Sequence, residues 1–164
     1  MNRILLIILL FSVCLVSCKK GYDAVEEVKT QAAKDDKIVQ DYIVDKGLTG
    51  KAIKIDTTGV YYIVMAPGSG NALFTNSTRV TIDYTSRILT TGVVFAESNN
   101  FHPFYTLGEV IRAWQLGIPQ IKKGGKVRIL APSRYAYGPF DQPDIGLPAN
   151  SIVDFEIELL DVTN

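Results

Sequence analysis

The run Arg79-Val80-Thr81-Ile82-Asp83-Tyr84-Thr85-Ser86-Arg87-Ile88-Leu89 alternates from end to end. Val80, Ile82, Tyr84, Ser86 and Ile88 share one face; Arg79, Thr81, Asp83, Thr85 and Arg87 share the other. Successive side chains of a strand point to opposite faces, so this stretch predicts a strand with one face in a core and one in water, as antiparallel sheets present. The pattern returns near the end of the chain, where Val153, Phe155, Ile157 and Leu159 alternate with Asp154, Glu156, Glu158 and Leu160. Between these two runs, Thr90-Thr91-Gly92 turns the chain into Val93-Val94-Phe95, and Gly124-Gly125 turns it into Lys126 to Leu130. Upstream, Val60 to Met65 is rich in β-formers and ends in the turn cluster 66–71.

One short helix is expected over Glu109 to Leu116, with Val110, Ile111, Trp114 and Leu116 apolar and with Gly117 and Pro119 stopping it. Residues 138–150 hold three Pro, two Gly and two Asp, which predicts a loop in which Asp141 and Asp144 serve as turn-formers. Together these elements predict an α+β domain over residues 55–164, its antiparallel strands wrapped on the short helix. An N-terminal helical segment, residues 24–48, precedes it. Val25, Val28, Ala32, Val39 and Tyr42 recur there at three- and four-residue steps, and Gly47 is placed to end the helix. The row Lys34-Asp35-Asp36-Lys37 leaves a break possible. The narrow apolar stripe is expected to pack on its own domain, with homodimerisation through residues 24–48 as the alternative.

The first residues have the pattern of an address rather than of a fold. Arg3 precedes a 13-residue apolar run, Ile4 to Val16, interrupted only by Ser12. A membrane span needs about 20 apolar residues, so residues 1–17 match a secretory signal peptide instead. The run ends Leu15-Val16-Ser17-Cys18, which resembles the bacterial lipobox. That resemblance implies a lipid attached to Cys18, a tether over residues 18–23, and a place in the bacterial cell envelope, facing the periplasm or the surface. Two acyl signals suffice for stable anchoring to a membrane.

Composition sets the outer limits. The 164 residues carry 17 Lys plus Arg against 17 Asp plus Glu, and this neutrality argues against a nucleic-acid partner. Two Cys and one His cannot build a closed Cys/His zinc site. There is no Gly-x-Ser-x-Gly elbow, P-loop or dinucleotide fingerprint, and nothing calls for a cofactor or a metal. The lone His102, before Pro103 in a loop, is expected at the surface.

What the sequence does hold is aromatic residues in a particular order. The block 80–85, then Gly92-Val93-Val94-Phe95, then Leu107-Gly108-Glu109-Val110-Ile111-Arg112-Ala113-Trp114 resemble the FKBP-type peptidyl-prolyl isomerases. So do Tyr135-Ala136-Tyr137-Gly138 and the stretch from Leu147-Pro148-Ala149-Asn150-Ser151 to Leu159. The resemblance implies a bent antiparallel sheet around a short helix, activity on proline-containing polypeptides, and a set of site residues. Trp114 would floor a proline pocket, with Tyr84, Phe95 and Phe155 as walls. Val110 and Ile111 would form the rim, the Ile111 N–H holding a substrate carbonyl. Tyr137 would offer its phenol at the mouth, and Leu147 an apolar contact from the flap loop. Phe104 is expected as a further wall aromatic, in competition with Tyr105. One position departs from the family: the Asp that usually follows the residue matching Phe95 is Ala96 here. The departure bears on catalytic efficiency and on macrolide binding, and it leaves a chaperone or binding module as the second reading. Glu97 is not expected to replace the acid, because neighbours on a strand face opposite ways.

Overall fold

The computed structural model describes the backbone from Asn2 and the side chains from Ala24. The expected signal peptide 1–17, the lipid attachment at Cys18 and the tether 18–23 lie outside the residues whose side chains are described. The chain divides into two compact units, residues 1–34 and residues 35–164. The first is helical, the N-terminal part of α1 (Asn2–Asp45).

The second unit contains the end of α1 and, among the described residues, one seven-stranded sheet. Its strands are β1 (Ile53–Lys54), β2 (Tyr61–Ala66), β3 (Arg79–Ile88), β4 (Val94–Glu97), β5 (Phe104–Thr106), β6 (Gly125–Ala131) and β7 (Val153–Thr163). The order is β1-β2-β6-β7-β3-β4, with β5 also on β3, and every pairing is antiparallel. The alternating strand β3 therefore lies beside β7, β4 and β5. Its Val80 and Ile82 are fully buried, as are Val153, Phe155, Ile157 and Leu159 of β7 and Val127 and Ile129 of β6. Against this inner face rests α2 (Arg112–Gly117), with Ala113 and Trp114 buried.

Two local departures from the expected elements have plain causes. The helix expected from Glu109 begins only at Arg112, because Val110 (ψ 170°) and Ile111 (ψ 150°) are extended. The Gln115 side chain holds that bend by donating to the carbonyls of Val110 (2.7 Å) and Gly108 (3.2 Å). Nor does α1 break at 34–37; it runs on to Asp45. It closes with Gly47 at φ +62°, the Leu48 N–H on the Ile43 carbonyl and the Gly47 N–H on the Val44 carbonyl, a Schellman ending.

A second, smaller core forms on the other side of the sheet. Val39 and Ile43 of α1 pack with Leu89, Leu130 and Ile152, flanked by Tyr42 and Leu48. The compact unit thus begins at Asp35 and takes in the second half of a segment expected to stand outside residues 55–164. Residues 35–48 use their apolar stripe on their own domain. Next to this core, Arg128 meets Asp154 through two hydrogen bonds of 2.8 Å and also donates to the Tyr42 hydroxyl at 2.7 Å.

Candidate functional site

The inner face of the sheet is not sealed. Between β3, β4 and α2 lies an open cavity of about 260 Å³, with Trp114 in its lining. Trp114 is brought there by α2, and its ring stands in three edge-on contacts: with Tyr84 (5.2 Å between centroids), Tyr105 (5.7 Å) and Phe155 (5.7 Å). Such edge-to-face packing fixes the indole plane. Among the described residues, the Trp114 indole N–H is the one buried side-chain donor or acceptor without a hydrogen-bond partner.

Of the residues expected at the site, Tyr84, Val110, Ile111, Trp114 and Tyr137 line the cavity together. Val110 and Ile111 reach it because of the extended bend before α2. A helix start leaves its first N–H groups without intrahelical partners, and Ile111 occupies that position.

Four of the expected residues are not among those lining the cavity. Phe155 is fully buried, its ring edge-on to Trp114 at 5.7 Å. Phe95 is the extra residue of a bulge, since Ser86 pairs with Ala96 and Arg87 with Val94; its ring meets the Tyr137 ring edge-on at 5.9 Å, outside the lining. Leu147 is 1% exposed and also lies off the cavity, in a loop closed by mutual bonds with Gln142. Phe104 does not reach the site. It pairs with Thr81 of the outer face, is 64% exposed, and carries the Arg79 guanidinium over its ring at 4.2 Å. Its neighbour Tyr105 pairs with buried Val80 and takes the wall position.

Three further lining residues escaped the site assignment: Ser86, Ala96 and Glu109. Ser86 was legible, because it shares the apolar face of β3 with Tyr84. Ala96 stands opposite Ser86, so the position that holds Asp in the resemblance does face the cavity. Glu97 pairs with Thr85 and lines a separate polar cleft of about 300 Å³ with Asp83, Asn99, Lys126 and Glu156. That cleft is lined mainly by charged and polar side chains. His102 lies on the same outer side, its Nδ1 2.7 Å from Asp83 Oδ1. Asp141 is a turn-former, accepting the Ala149 N–H at 2.7 Å.

Three phenols, those of Tyr84, Tyr105 and Tyr137, line the cavity. Burial, then a hydrogen bond with Tyr84, pushes the Tyr105 phenol up to about 12. Burial, then the nearby Tyr84, also raises Tyr137. Glu109, at the exposed rim, is the single charged lining residue. The arrangement offers an apolar floor, neutral hydrogen-bond donors and no nucleophile–base pair.

Comparison with known proteins points the same way. The sequence pattern of the FKBP-type peptidyl-prolyl cis-trans isomerase family matches residues 70–160. The FKBP-type isomerase FkpA of Buchnera aphidicola (from Acyrthosiphon pisum) is 37% identical over 116 residues, 70% of this chain and 46% of that protein. The isomerase Fkbp12 of Drosophila melanogaster is 37% identical over 108 residues, 63% of this chain and 98% of its own length. The crystal structure of FkpA from Escherichia coli superposes with a TM-score of 0.67 at 28% identity, covering 93% of this chain and 70% of that one. The chain spans about half the length of the FkpA protein it matches. With the fold, the ring-lined cavity and the matched residues in agreement, the chain belongs to the FKBP-type peptidyl-prolyl cis-trans isomerases.

Proposed function

We propose that the chain catalyses cis–trans exchange of X–Pro bonds, with the proline ring on Trp114 and the flanking carbonyls held by the Ile111 N–H and the Tyr137 phenol. The observation that carries this reading is the open cavity over Trp114, lined by rings and neutral donors. Rotation about the peptide bond faces a barrier of about 18–20 kcal/mol from amide resonance. No bond is made or broken, so neither nucleophile nor strong acid is needed. The twisted amide has lost its dipolar resonance form. A dry, apolar site therefore disfavours the planar state relative to the twisted one, which is differential binding of the transition state. Lowering the barrier by about 5 kcal/mol would give a several-thousand-fold acceleration. Phe155 and Phe95 contribute by fixing the Trp114 and Tyr137 rings, and Leu147 by filling the loop behind them.

The test is exchange of a short X–Pro peptide with folded protein, followed optically. The expected outcome is acceleration over the thermal rate, with kcat/KM lowered about tenfold in Tyr137→Phe, the worth of one hydrogen bond. A rate no faster than buffer would overturn the reading. The second reading, a chaperone that binds but turns over poorly, is favoured by Ala96 in the cavity wall. It predicts suppressed aggregation of an unfolded client at a negligible exchange rate.

The N-terminal sequence supports a place for this activity in the bacterial envelope, assisting proteins that fold there, with the chain held to a membrane by a lipid on Cys18. Incorporation of labelled fatty acid that is lost in Cys18→Ala is the expected result. Equal labelling of both chains would rule the anchor out.

A further inference from the structure

Asp35 lies on the same stripe of α1 as Val39 and Ile43, one turn before the apolar pair that docks on the sheet. A third apolar residue would extend that contact. Instead the position holds a carboxylate that is 1% exposed. Burying a charge is costly unless it is fully bonded, so its partners matter. Asp35 Oδ2 accepts two hydrogen bonds from one residue, the backbone N–H of Ser133 at 2.9 Å and its hydroxyl at 2.5 Å. The next pair repeats the link: Arg134 donates to Asp36 at 2.7 and 3.0 Å, and to the Thr58 carbonyl at 2.6 Å. Two consecutive residues of the helix thus grip two consecutive residues of the turn after β6.

That turn carries Tyr137. The Ser133 carbonyl accepts the N–H of Ala136 and the N–H of Gly138, each at 2.9 Å, so the loop closing around Tyr137 is bonded to the residue that Asp35 holds. Gly138 in turn accepts the Asn150 N–H at 2.9 Å, and the Tyr137 ring rests edge-on against Phe95. Every main-chain polar group of Ser133 is engaged, the donor toward α1 and the acceptor toward the cavity side of the turn.

We propose that Asp35 is a positioning residue for Tyr137, holding through Ser133 the turn that presents the phenol at the mouth of the cavity. The inference deepens the isomerase reading and rests on it for its kinetic test. Charge-assisted bonds are the stronger kind and set geometry as well as energy, which suits a carboxylate to this place better than a leucine. The helix end is then part of the site although none of its residues lines the cavity.

The test is a double-mutant cycle on the full chain. Asp35→Asn is expected to lower kcat/KM about tenfold in the wild-type background and less than twofold in Tyr137→Phe, because the phenol it positions is already gone. Val39→Ala, on the same stripe, is expected to reduce stability and leave kcat/KM within twofold well below the unfolding temperature. Equal losses from Asp35→Asn in both backgrounds, or no loss in a folded variant, would overturn the proposal. If Asp35→Asn does not fold, Ser133→Ala replaces it, removing one bond and keeping the backbone. About a threefold loss confined to the background that has the phenol is expected of it. If the wild type shows no isomerase activity, the functional reading fails and the inference is judged by phenol titration. Tyr137 is then expected to titrate closer to 10 in Asp35→Asn, and an unchanged titration would overturn it.

Discussion

Ala96 is the residue at which the cavity lining departs from the family pattern. It stands across from Ser86 with its side chain toward the cavity, so an acid placed there would enter the site without moving the strand. Ala96→Asp is expected to raise kcat/KM by about fivefold, a barrier change of about 1 kcal/mol. An unchanged value in the exchange assay would show that the missing carboxylate does not limit the reaction. The phenols give a second prediction at this scale. Tyr105 and Tyr137 have folded pKa values above the ordinary 10, so between about pH 10 and 12 the unfolded chain loses protons that the folded chain keeps. Stability from these groups is complete below pH 10 and falls as pH rises through that window. Absorbance of phenolate should show a late-titrating class, and the denaturation midpoint should drop across the same interval. A midpoint that is flat from pH 9 to 12 would contradict the burial assigned to them.

Elements were legible where the sequence carries a period. The alternation of β3 and β7 fixes which side chains face the core, and Ser86 and Tyr84 follow from it without further information. The wall position was harder, because Phe104 and Tyr105 are both aromatic and β5 has only three residues. Counting back two from buried Leu107 selects Tyr105, but only pairing with Val80 gives that count its meaning. The bulge at Phe95 and the bend at Val110 could not be seen, since both depend on bonds to residues elsewhere in the fold. The helix α2 is seated by a detail of the same kind. A Cβ on Gly117 would lie 2.2 Å from Ile129 Cδ1, so glycine lets the helix rest on β6. Gly117→Ala is expected to cost about 1–3 kcal/mol by overpacking and to lift Trp114 off its neighbours. Chemical denaturation measures the first effect. A variant as stable as the wild type would mean that Ile129 yields freely.

For the molecule as a whole, the sheet is used on both faces. The inner face carries the cavity and the outer face carries the end of α1, a division that the apolar stripe at residues 39–43 suggested without naming its partner. Arg128 lies at the junction, bonded to Asp154 of β7 and to Tyr42 of α1, with its own pKa raised chiefly by Asp154. Asp154 is only 5% exposed, so Arg128→Ala strands a buried carboxylate and is expected to cost about 3–5 kcal/mol. Urea unfolding would measure it, and a loss below 1 kcal/mol would show that water reaches Asp154 after all. Trp114 is the only tryptophan in the sequence. Its placement at the base of the cavity has a practical result: the protein carries its own optical reporter. Excitation near 295 nm lights a single indole, and any molecule that settles above it must alter the colour or brightness of that emission.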